Sequence, residues 1–107
     1  MSFKVHDIKH YNYAFDARSG APGQLQLWGD SGKIAQVEFV EESSPVPQPT
    51  FPPDMSSAKI FFKRSALVGI VDMLRNEGPV RLTISDQYPG SVLLHTGPEP
   101  VGEGENN

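Results

Sequence analysis

Between Ala58 and Gly78 an apolar run passes directly into the one amphipathic helical pattern of the chain, and every other element has to fit that pair. Ala58-Lys59-Ile60-Phe61-Phe62-Lys63 reads as a strand with basic residues near its ends. Ser65 carries a side-chain oxygen suited to an N-cap. Leu67, Ile70, Val71 and Leu74 then follow at i, i+3, i+4 and i+7, on one side of a 3.6-residue period. Gly78 is placed for left-handed closure and Pro79 cannot continue a helix, so the pattern predicts a helix over 65–77. Burying those four side chains is worth roughly 6–12 kcal/mol before entropy is subtracted. The remaining segments must therefore supply an apolar surface for them.

Around this unit the sequence alternates with a period of two. Tyr11, Tyr13 and Phe15 share one face of a strand over 9–15, and after a loop over 16–23 Leu25 and Leu27 share one face over 24–28. Ala35, Val37 and Phe39 do the same over 33–40, where the inward face is ambiguous at Ile34 and Val40. Gly29-Asp30-Ser31-Gly32 makes a tight reversal that pairs the second and third strands as a hairpin. A second hairpin joins Val80, Leu82 and Ile84 to Val92, Leu93 and Leu94 through a turn over 86–90. Between the halves, Pro45, Pro47, Pro49, Pro52 and Pro53 forbid a helix and predict an extended connector over 43–57, pinned by a side chain such as Phe51. Pro49-Thr50-Phe51-Pro52 also fits the spacing of a proline-motif ligand, although a spacer is the commoner use of this composition. The first seven residues read as a solvated lead-in without the apolar run of a signal peptide.

The sum is a single α+β domain over 1–97, followed by an acidic flexible tail over 98–107. Its expected architecture is an antiparallel curled sheet of about six strands with one amphipathic helix packed on one face, in the order β-β-β-β-α-β-β. A helix of about 12 residues spans roughly 18 Å, too little to roof six strands about 4.8 Å apart. Apolar sheet surface is left over. It predicts either curling toward a barrel or a second copy on the open side.

Composition narrows the function. A net charge of −4 argues against a general polyanion binder. The absence of cysteine removes disulfides, thiolate nucleophiles and cysteine-ligated metals, and fits a cytoplasmic protein. No stretch approaches the roughly 18 apolar residues of a membrane-spanning helix. His6 and His10 are four apart, but strand geometry would separate them by about 13 Å, so neither metal nor cofactor is expected. His95 with Asp86 or Asp72 and a serine outlines a hydrolase triad on paper, but no Gly-x-Ser-x-Gly turn accompanies it, and no catalytic residue is assigned.

The leading expectation is a non-enzymatic binding module, homodimeric through sheet surface or docked to another protein along an exposed strand edge. The alternative is a single-stranded DNA or RNA binder, with Trp28 stacking on bases beside His10 while Lys59, Lys63, Arg64 and Arg81 meet phosphates. An antiparallel sheet followed by a helix resembles the element order of the Whirly and PUR-type single-strand binders. The chain carries none of their motifs and adds two strands after the helix. A small hydrolytic enzyme is the third expectation.

Overall fold

The computed structural model describes residues 2–14, 23–87 and 90–96. In chain order these form β1 (Phe3–Asp7), β2 (His10–Ala14), β3 (Gln24–Gly29), β4 (Gly32–Val40), β5 (Ala58–Lys63), a 3-10 turn (Arg64–Ala66), α1 (Leu67–Asn76), β6 (Arg81–Ser85) and β7 (Ser91–His95). The α+β class is as the sequence predicts, but the strands divide between a four-stranded sheet, β2-β3-β4-β5, and a three-stranded sheet, β1-β6-β7. Phe15 of the strand expected over 9–15, all of the 16–23 loop but its last residue, positions 88–89 of the second turn and the acidic tail lie outside the described residues.

The strand the sequence pattern does not announce is β1. It pairs antiparallel with β6, and its alternation is inverted: Lys4 and His6 share rungs with the buried Ile84 and Leu82, whereas Phe3 and Val5 lie on the opposite face. An edge position tolerates this. The Lys4 side chain remains exposed, and the His6 ring lies 2.9 Å from the Met55 carbonyl oxygen.

One strand pair departs from the antiparallel expectation. β4 and β5 run parallel, from Ala35 opposite Ala58 to Val40 opposite Lys63. Parallel neighbours need a long return, and the segment 41–57 provides it. On the way back, Thr50 exchanges backbone hydrogen bonds of 3.0 and 2.8 Å with Lys59, so the connector covers part of the outer edge of β5. Phe51 packs against the core as expected, and Met55, buried with φ of +53°, is a second anchor. The Pro49–Pro52 stretch is thereby bound into the body of the domain.

The ambiguity at Ile34 is resolved by a β-bulge. The β3–β4 register shifts between Leu27 and Trp28, and Ile34 and Ala35 are both buried. Leu25, Leu27, Val37 and Ile60 of one sheet, Leu82 and Ile84 of the other, and Ile70 of α1 belong to one core. Leu67, Val71 and Leu74 are half-buried against it, so the stripe on α1 docks as a unit with Ile70 deepest.

Both helix termini differ in detail from the sequence expectation. The α-helix starts at Leu67 with Ala66 in the capping position and no side-chain cap. Ser65 instead donates its backbone N–H to Glu42 Oε1 at 2.7 Å. The parallel register makes this reachable, because Val40 and Lys63 are partners and the chain leaves both strands at the same end. The helix stops at Asn76 because Glu77 turns extended, at φ −107° and ψ 157°, and Gly78 is not left-handed. Among the described residues no helix is long and apolar enough to cross a membrane.

Candidate binding surfaces

Trp28 sits on the outward face of the four-stranded sheet, half-buried, opposite His10 on β2 and Lys33 on β4. The next rung along this face carries Asn12, Gln26, Gln36 and Lys59, and the one after it Ala14, Gln24, Glu38 and Phe61. Trp28, His10 and Lys59 therefore belong to one face, as an aromatic and basic sheet surface requires. Lys59 is not free there. Its ammonium lies 3.3 Å from Glu38 Oε2 and 5.6 Å from the centre of the Phe61 ring.

The other basic candidates are held elsewhere. Lys63 donates to the backbone carbonyls of Glu42 and Ser44, and Arg64 lies 3.4 Å from Glu41 Oε1. Both tie the start of the connector to the start of α1. Arg81 belongs to the three-stranded sheet, where its Nε is 3.1 Å from Asp7 Oδ1. The four cations expected to meet phosphates thus occupy three separate places, each beside an acidic or carbonyl oxygen.

Two carboxyls are tuned by this tethering. Hydrogen bonds from the Ser65 hydroxyl and backbone N–H, helped by nearby Lys63, hold Glu42 below its ordinary value of 4.5. The same pair of donors from Ser56, with a weaker contribution from Lys4, holds Asp54 below 3.8. Both are loop staples. The polar groups considered for hydrolysis are likewise engaged in local bonds: the His95 ring lies 2.8 Å from Thr83 Oγ1, Asp86 accepts the Ser2 N–H at 2.6 Å, and Asp72 accepts from Asn76 at 2.7 Å.

A surface that spacing does not reveal lies on the outward face of β1-β6-β7. Val5, Thr83 and Leu93 form its central rung, with Phe3, Ser85 and Ser91 on one side and Asp7, Arg81 and His95 on the other. Phe3 is 69% exposed, Leu93 59% and Val5 46%. The alternation Phe3-Lys4-Val5-His6 is visible in the sequence, but polarity alone assigns its apolar half to the core. Only the register with Leu82 and Ile84 reverses that assignment.

Comparison of the chain with protein-family models, with curated proteins and with solved structures finds no match.

Proposed function

We propose that this chain is a non-enzymatic binding module that pairs with a second copy of itself through the outward face of β1-β6-β7. The observation that carries this reading is the co-location of Phe3, Val5 and Leu93 on one sheet face, all exposed. Local charge leaves this face open to a second copy. The chain is net −4, so copies repel at long range, yet Asp7 and Arg81 neutralise each other on this face. Under a two-fold axis each Asp7–Arg81 pair can meet its own copy, which is the self-complementarity that an isologous interface needs.

The interface is small. Three strands about 4.8 Å apart and five residues long at about 3.4 Å per residue present a face of roughly 14 by 17 Å. Burial on that scale belongs to weak, transient contacts. The dimer is therefore concentration-dependent, and we place it in the cytoplasm, which suits a chain without cysteine.

Sedimentation velocity across micromolar to millimolar concentrations tests this directly. A sedimentation coefficient that rises toward the dimer value supports it, and a strict monomer throughout removes it. The single-stranded nucleic-acid alternative needs several cations beside the stacking indole, and Lys63 and Arg64 are tied to the connector while Arg81 lies on the other sheet. Its own test is Trp28 emission at low salt, where an oligonucleotide stacking on the indole would quench it.

A further inference from the structure

We propose that the cleft between the returning connector and the first rungs of β4 and β5 binds a small anionic ligand, a carboxylate or phosphate ester on a short apolar body. The cleft measures about 420 Å³, within the range of small-molecule sites. Ala35 and Ala58, register partners that are both buried, border it on the sheet side. Phe51 and Pro52 wall it on the connector side and give it an apolar half.

The rim is cationic. Lys33 Nζ donates to Gln36 Oε1 at 3.3 Å, Gln36 Nε2 donates to Glu38 Oε2 at 2.7 Å, and that same oxygen lies 3.3 Å from Lys59 Nζ. Two ammonium groups are thus joined through one amide and one carboxylate, leaving a local excess of positive charge on an otherwise acidic chain. The Lys59 side chain is 49% exposed, so its pairing with Glu38 is weak and gives way readily to an incoming anion. Thr50 and Ser57, whose hydroxyls can orient the anionic head, also line the cleft.

The walls are pre-formed. Thr50 is bonded to β5 on both backbone groups, Asp54 accepts both the N–H and the hydroxyl of Ser56 at 3.0 and 2.7 Å, and Met55 is buried between them in sequence. Binding then requires little ordering of the loop.

Trp28 is the register partner of Lys33 and the sole tryptophan, so its emission reports on the rim. The experiment titrates phenyl phosphate, benzoate and inorganic phosphate separately into the full chain at low ionic strength, following backbone amide shifts and Trp28 emission. Saturable shifts confined to 33–36, 50–52 and 57–59, tighter for a probe with a ring than for inorganic phosphate, are expected. The stronger of the two ring-bearing probes identifies the head group. Lys33→Gln and Lys59→Gln should each weaken binding roughly tenfold, with Lys9→Gln as the unaffected control. Non-saturating shifts, shifts spread over other lysines, or undiminished binding in the Lys33→Gln/Lys59→Gln double variant would overturn the site. Equal affinity for phenyl phosphate and inorganic phosphate would overturn its apolar half.

Discussion

The Glu42 carboxylate receives the Ser65 backbone N–H at 2.7 Å across 23 positions of sequence, so the helix entrance is capped by the exit of a neighbouring strand. This bond is stronger when the carboxylate is ionised. Because its folded pKa lies below the ordinary value of 4.5, the stabilisation is fully present above that value and is lost as the pH falls through the lower, folded one. Asp54, held below 3.8 by Ser56, behaves in the same sense at the cleft loop. Glu42→Gln should lower the thermal midpoint at neutral pH, and the difference from the parent should close on acidification. Calorimetry at a series of pH values checks it; a gap that widens toward acid would contradict the assignment.

Gly69 lies inside α1 on its exposed side, and a Cβ built there meets nothing within 4 Å. Glycine in a helix interior gives up more backbone entropy than alanine and returns no packing here. Gly69→Ala is therefore expected to stabilise the domain by about 0.5–1 kcal/mol, roughly 2–6 °C in Tm. Thermal unfolding by circular dichroism measures it.

Gly29 and Ile34 are coupled through the bulge. A Cβ on Gly29 would lie 3.2 Å from the Asp7 carbonyl oxygen and 3.3 Å from Ile34 Cγ2. Gly29→Ala should cost about 1–3 kcal/mol, because one of the two obstacles is backbone. Ile34→Ala empties a buried position and should cost about 2–5 kcal/mol. Combined, they should cost less than their sum, since the second substitution removes the methyl that the first would strike. Urea titrations of the two single variants and the double variant close the cycle.

These positions also show what a sequence reader can and cannot see. The amphipathic stripe from Leu67 to Leu74, the Gly29–Gly32 reversal and the alternation in β3, β4, β6 and β7 are all local, and each is present in the structure. Features set by distant partners are not legible in this way. The parallel pairing of β4 with β5 depends on where the connector returns, the inverted face of β1 on register with Leu82 and Ile84, and the helix cap on Glu42 rather than on adjacent Ser65. The candidate site divides along the same line. His10, Trp28 and Lys59 share a face because strand alternation places them there, whereas the acids that engage Lys59, Arg64 and Arg81 lie on neighbouring segments that alternation does not identify.

The sharpest consequence of the proposed self-association concerns Leu93. Its side chain is 59% exposed on the middle rung of the β1-β6-β7 face, beside Thr83 and across the rung from Val5. Leu93→Lys leaves the core untouched, so folding stability should stay within about 0.5 kcal/mol of the parent. In a self-paired face the substitution puts an ammonium into the apolar contact of both copies, and association should weaken by at least about tenfold. Val68, 78% exposed on α1, supplies the control, because Val68→Lys removes a comparable apolar group from a different surface and should leave association unchanged. Sedimentation equilibrium on the three chains separates the outcomes. Weakening by both substitutions would point to general apolar stickiness, and weakening by neither would remove this face as the interface.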